Sequence, residues 1–313
     1  MANTTTGLFE TLVVPSAIEA AQSLKYTKAT AGSIFWDYKA SGGKIGQTLN
    51  INVPSVAEGD AQDIGSGSLS PTDTDHASVA LVLDQHPSVS FVIKSWDDVR
   101  TPEDLTKTYM KPKLEALCRY INAQVCALIT ETALNGYTAI TGGADIFTRA
   151  NLGTAWANLA GAGVPVYDSG NVFFITHPLV YANMMSDTSF YQESVVGIDA
   201  AERAQQRAVI APQLNAEVKF DQQFPVPSSG VYAGLFFHRY ALGGVVVNPP
   251  SLSAVGGSGV EESTVYPFAG APDFPVQIQM QPSIKDQGTV INLHAMFGVK
   301  VIRKDHASFL KTT

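Results

Sequence analysis

The sequence predicts an α+β chain built around an extended arm, an oversized β-hairpin and one unusually long helix. Three observations carry this expectation. Strict alternation over residues 48–53 places Leu49, Ile51 and Val53 on one side and Thr48, Asn50 and Asn52 on the other, the pattern of a two-faced strand. Between Tyr109 and Ala133, the residues Leu114, Leu117, Cys118, Ile121, Val125, Leu128 and Ile129 recur at helical spacing. After Gly136, short strand-like and helix-like stretches mix without a strand–helix–strand rhythm and without a fixed repeat.

Taken in order, residues 1–38 read as an arm, with a short helix over Pro15–Leu24 that carries proline in its first turn. Ser41-Gly42-Gly43 then punctuates the chain. The first strand is answered by an extended run at Val79–Leu83 and Val89–Ile93, interrupted by His86-Pro87, where a bulge or an edge is expected. Between the two arms, residues 55–78 are rich in Gly and Ser and hold Glu58, Asp60, Asp63, Asp73 and Asp75 with no Lys or Arg, a net −5. These parts make a long hairpin with an acidic tip. A two-stranded hairpin is marginal by itself in water, so it needs a surface to lie on.

Thr101-Pro102-Glu103-Asp104 is a helix start, with an N-cap hydroxyl, proline at the first position and acids on the positive end of the dipole. Pro112 forbids one uninterrupted helix, so a short piece to Met110 is expected, then a long helix from Lys111 closed by Asn135-Gly136. About 25 residues would make a rod of ~37 Å. Its start carries Lys107, Lys111, Lys113 and Arg119 against Glu115, a net +3. Downstream, helices are predicted over 152–159, from His177-Pro178 to Met185, and over 199–209. Strands are predicted at 172–176, 218–220 and 231–237, with 241–247 in helix or strand. Residues 248–275 read as a Pro/Gly/Ser loop region, 289–303 as a strand pair, and the remainder as a C-terminal tail.

Recognisable reaction chemistry is missing from the sequence. The six histidines, at 76, 86, 177, 238, 294 and 306, include no pair at metal-ligand spacing, and neither cysteine neighbours one. The Gly/Ser clusters at 65–67 and 256–259 fit neither a nucleophile elbow nor a dinucleotide fingerprint. The tip acids lack calcium-loop spacing. His177 and His238 are expected at a helix start and a core edge. Cys118 and Cys126 stand eight positions apart on one helix, about 12 Å, too far for a disulfide, and are expected as buried thiols. The chain is therefore read as non-enzymatic, with no cofactor and no metal.

Composition narrows the class further. With 45% hydrophobic residues over 313 positions, the chain has ample material for a core. Only 15% of residues are charged, against roughly 25% in ordinary soluble domains. A surface short of charge suits one covered by partners. The net charge of −8 excludes a protein that condenses nucleic acid through its phosphates. No apolar run is long enough to span a membrane, and the start at Met1-Ala2-Asn3 has no signal-peptide character, so a cytoplasmic site of synthesis is expected.

This order of parts resembles the major capsid proteins of tailed bacteriophages with the Hong Kong 97 fold. Gly46–Pro54 is similar to the first strand of that family's E-loop. Val82–His86 with Val89–Ile93 resembles the returning strand, and Tyr109–Ala133 falls where the spine helix stands. Asn215–Asp221 through Phe224-Pro225 resembles the strand and turn before an A-domain hairpin. Phe236–Leu242 looks like the segment after it, and Phe297–Arg303 like the closing strand.

The resemblance implies five parts: an N-terminal arm at 1–38, an E-loop hairpin at 39–98, and a spine helix with P-domain at 99–150. An A-domain at 151–269 and a return to the P-domain with C-terminal strands at 270–313 complete it. It further implies self-assembly through hexamers and pentamers into an icosahedral shell around double-stranded DNA, bound without sequence specificity and away from any membrane. The location is the virion, after assembly in the host cytoplasm. A separate scaffolding protein, a portal and a decoration protein are possible partners. In the family the E-loop lies over a neighbour's P-domain. The acids Glu58, Asp60, Asp63, Asp73 and Asp75 are thus expected to face Lys107, Lys111, Lys113 and Arg119 of another copy. The alternatives are an encapsulin-like compartment subunit, which shares the fold, and a soluble α+β enzyme without a recognisable motif.

Overall fold

The computed structural model describes residues 29–39, 46–54, 76–94, 109–134, 140–142, 147–168, 170–187, 190, 210, 214–226, 230–249, 261–265 and 275–312. The arm up to residue 28, its predicted helix, the hairpin tip, the start at 101–104, the cap at Asn135-Gly136 and the helix at 199–209 lie outside these residues.

The continuous apolar runs Val172-Phe173-Phe174-Ile175 and Leu235-Phe236-Phe237 form strands β6 (Val172–Thr176) and β8 (Ala233–His238), buried along their whole length. A run without alternation marks a strand covered on both faces. Both sit inside a five-stranded sheet of order β5-β14-β8-β6-β7, with β5 at Ile140–Gly142, β7 at Glu217–Phe220 and β14 at Ala307–Thr312. On one face Phe174, Phe236 and Leu310 meet helix α3 (Arg149–Gly161) through Leu152, Ala155 and Leu159, and helix α4 (Pro178–Ser186) through Val180 and Met184. On the other face Phe173, Ile175, Leu235, Phe237 and Phe309 join the main core.

That main core is organised by helix α1 (Lys111–Ala127), with Pro112 in its first turn. Leu114, Leu117, Cys118, Ile121 and Val125 make one buried stripe. They pack with Phe91, Ile278, Ile291 and Leu293 of an antiparallel four-stranded sheet of order β10-β11-β12-β4 (Glu261–Val265, Val276–Ser283, Gly288–His294, Ser88–Lys94). Each such side chain contributes roughly 1.5–3 kcal/mol by burial, so this stripe holds helix and sheet together. A three-stranded sheet completes the core: β1 (Phe35–Lys39) runs parallel to β9 (Leu242–Val247), which pairs antiparallel with β13 (Met296–Val301). Strand β2 (Thr48–Pro54) pairs with β3 (His76–Val82) in full antiparallel register as a separate two-stranded hairpin.

Five expectations are corrected. The long helix has 17 residues, about 25 Å. It stops because the Thr130 hydroxyl accepts the Ala133 N–H and starts a new four-residue helix α2 at Glu131–Leu134, a local side-chain bond that competes with continuation. The returning extended run divides, because only β3 closes the hairpin while β4 pairs with β12. The loop region at 248–275 contains β10, paired residue for residue with β11. Residues 289–303 are no strand pair, since β12 and β13 enter different sheets across Ala295. The C-terminal tail is β14, whose residues 307–310 are all buried and which pairs with both β5 and β8.

Candidate inter-subunit surfaces and their anchors

The hairpin lays its apolar face, Leu49, Ile51, Val53 and Val79, against its own chain and leaves the other face open. Thr48, Asn50 and Asn52 are exposed, whereas Leu49, Ile51 and Val53 are half-buried, as the alternation predicted. At the root, Leu81 and Leu83 are buried with Val245, Met296 and Ile302 in a small third core. Backbone bonds fix that root. Gln85 and Phe297 exchange N–H···O bonds of 3.0 Å, and Gly46 N–H donates to the Leu83 carbonyl at 2.8 Å. Lys300 Nζ donates to the Ala80 carbonyl at 2.7 Å. Gly298 is required beneath it, because a Cβ there would stand 1.9 Å from the Val82 carbonyl oxygen.

The residues expected to form charged contacts are only partly in view. Glu58, Asp60, Asp63, Asp73, Asp75 and Lys107 lie outside the described residues. Lys111 and Arg119 are exposed on α1 and Lys113 is half-buried. At about 100° per residue, Lys113 and Arg119 are ~120° apart around the helix. The cations therefore spread over the solvent side of α1 rather than forming one patch. None of the three has an ion-pair partner among the described residues.

A buried polar knot, absent from the sequence reading, ties three segments together behind this surface. The Asp221 carboxylate, 2% exposed, accepts from Thr30 N–H at 3.0 Å, Thr30 Oγ1 at 2.8 Å and Gln223 N–H at 2.9 Å. Asn122 Nδ2 of α1 lies 3.0 and 2.9 Å from its two oxygens. Asn122 Oδ1 in turn accepts the Ala31 N–H at 3.0 Å. Next to it Trp36 Nε1 donates to the Ala31 carbonyl at 2.7 Å, and its ring fills the space above Gly244, where a Cβ would stand 2.3 Å away. Residues 29–36, read as the end of an arm, are thus part of the subunit core. Burial, followed by the nearby Asp221, pushes the Cys126 thiol up to about 12. Both cysteines are buried thiols, as expected, and Cys126 is an unreactive one.

The histidines take structural positions. His177 Nδ1 accepts the Leu179 N–H and caps α4, and His238 Nδ1 accepts the Tyr240 N–H where β8 turns. His86 and His294, which sequence spacing never associates, stand with Nε2 and Nδ1 3.0 Å apart. His238 and His306 rings meet edge-on at 5.9 Å. Among the described residues no three His, Cys, Asp or Glu side chains form a group able to hold a metal, and no helix is long and apolar enough to cross a membrane.

No family model and no curated protein sequence matches the chain. Solved structures do. The chain is similar to a structure of Mycobacterium phage Che8, at 14% identity and TM-score 0.60 with 90% of both chains covered. It is similar to the capsid of cyanophage P-SCSP1u, at 15% identity and TM-score 0.61 over 92% of this chain and 89% of that one. It is also similar to the mature capsid of bacteriophage PhiM1, at 11% identity and TM-score 0.58 over 92% and 88%. At such identities the likeness is one of fold. The chain has the α+β fold of phage capsid subunits, and that fold is the Hong Kong 97-like architecture expected from the order of its parts.

Proposed function

We propose that this chain is the major capsid protein of a tailed phage, a structural subunit without catalytic activity. It self-assembles through hexamers and pentamers into an icosahedral shell around double-stranded DNA. The observation that carries the reading is the match of fold to phage capsid structures over 92% of this chain. The two-stranded hairpin supports it, because its Thr48, Asn50 and Asn52 face is left open for a neighbouring copy. The low charge content and net −8 suit a wall that touches its neighbours everywhere and leaves its contents unbound.

Within this reading the five parts are 1–38, 39–98, 99–150, 151–269 and 270–313, with residues 29–36 of the arm anchored in the core and β4 of the second part carried by the four-stranded sheet. Its partner is first of all itself, assembly uses either a separate scaffolding protein or none, and the virion is its final location. The acids at 58, 60, 63, 73 and 75 meet the cations at 107, 111, 113 and 119 of a neighbour. Sedimentation of the purified full chain, expressed alone and with the products of neighbouring genes, tests the function. Species in the megadalton range are expected. A monomer at every concentration and in every combination contradicts it.

A further inference from the structure

His86 lies in the short crossing between β3 and β4, where the chain leaves the hairpin for the four-stranded sheet. His294 is the last residue of β12, 6% exposed, and 208 positions away. Their facing nitrogens are 3.0 Å apart, so a single proton holds two lone pairs together. With metal–nitrogen bonds of about 2.0–2.1 Å, two ligands at 90° stand about 2.9 Å apart and two at the tetrahedral angle about 3.3 Å. The observed separation is that of cis ligands in tetragonal coordination, the geometry of Cu(II) and Ni(II).

Burial first and His86 second keep the His294 imidazole neutral, the form that offers a lone pair, while the Glu262 carboxylate of β10, with its Oε1 held by Gln279 Nε2 at 3.1 Å, acts on it in the opposite sense. The second nitrogen of His294 is buried without a hydrogen-bond partner. So is the amide oxygen of Gln277, which is His294's partner in the β11–β12 register. A ligating histidine ordinarily gives its other N–H to such an oxygen, which orients the ring.

We propose that His86 and His294 form a two-imidazole chelate for a divalent transition ion of the Cu(II)–Ni(II) type, which clasps the hairpin root to the end of β12. On binding, the ion takes the place of the shared proton, which passes to the other nitrogen of the ring that carried it, so both imidazoles stay neutral and each facing nitrogen gives its lone pair to the metal. His86 is exposed, so water completes the coordination and the ion exchanges freely. The site stands on this pair alone and is independent of the capsid reading.

The test titrates chelator-treated full chain with Cu(II), followed by calorimetry and electron paramagnetic resonance. One ion per chain is expected, with superhyperfine splitting from two imidazole nitrogens. His86→Gln, at an exposed position and with an unchanged circular dichroism spectrum, should weaken binding roughly tenfold or more and leave one nitrogen. His177→Gln, the helix-cap histidine, should bind like the parent chain. Absence of binding, a spectrum without two imidazole nitrogens, or superimposable titrations of the parent and His86→Gln overturn the proposal.

Discussion

Asn122, midway along α1, offers its amide nitrogen to both carboxylate oxygens of Asp221, at 3.0 and 2.9 Å, while its own oxygen receives the Ala31 N–H. One side chain thereby joins the helix to the turn after β7 and to the chain that leads into β1. The carboxylate is held by neutral donors alone among the described residues, so each donor lost leaves charge or backbone unsatisfied in the interior.

Asn122→Ala is expected to destabilise the subunit by about 3 kcal/mol, since it orphans a buried carboxylate and the Ala31 N–H together. Asp221→Asn keeps the shape and should cost less, about 1–2 kcal/mol. Denaturant unfolding of the disassembled subunit measures both. Equal and negligible losses would show that the knot contributes nothing.

Gly298→Ala tests the seat of the hairpin. The added methyl meets the Val82 carbonyl oxygen, and backbone cannot swing aside as a side chain can. Faster hydrogen exchange at residues 79–83 is expected, together with impaired particle formation and a nearly unchanged circular dichroism spectrum. Unchanged exchange there would place the hairpin elsewhere on β13.

Much of this architecture is written in local pattern. The alternation over 48–53 differs between faces, so β2 was legible, and the phenylalanine-rich runs of β6 and β8 betray strands covered on both sides. Apolar spacing continues through Leu128 and Ile129 and so predicts a longer helix, while the stop comes at Thr130, whose hydroxyl accepts the Ala133 N–H. β14 follows Arg303, Lys304 and His306, and that charge made a buried strand look like a tail. The Asp221 knot and the His86–His294 contact join positions 91 to 208 residues apart. Their signal is tertiary, and no spacing rule reaches it.

Stability should fall in mild acid. Burial lowers the His238 pKa, and burial with nearby Arg303 lowers His306 to about 4, against the opposing pull of Asp168 and Asp305 respectively. Each neutral imidazole belongs to the folded state, so below about 6.5 the unfolded chain binds more protons. The His306 share of the loss therefore grows from about pH 6.5 downward and levels off below about 4. Melting temperatures of the parent chain and His306→Gln between pH 8 and 4 check this. The variant should show a shallower decline, and parallel curves would remove His306 from the account.

Charge reversal tests the contact between copies. Lys111→Glu with Lys113→Glu should slow assembly at low salt, and Glu58→Lys with Asp60→Lys in the same chain should partly restore it. Each exposed pair is worth roughly 0–1 kcal/mol, so the effect appears in rate and salt dependence rather than in fold. A combined variant that assembles no better than either set alone shows that the two groups do not meet.

The most direct measurement of the central claim is an electron micrograph of the purified chain, expressed with and without its neighbouring genes. Closed shells, or pentameric and hexameric rings with the hairpin laid over the adjacent subunit, are the predicted result. Fields of isolated single subunits under all of these conditions would contradict it.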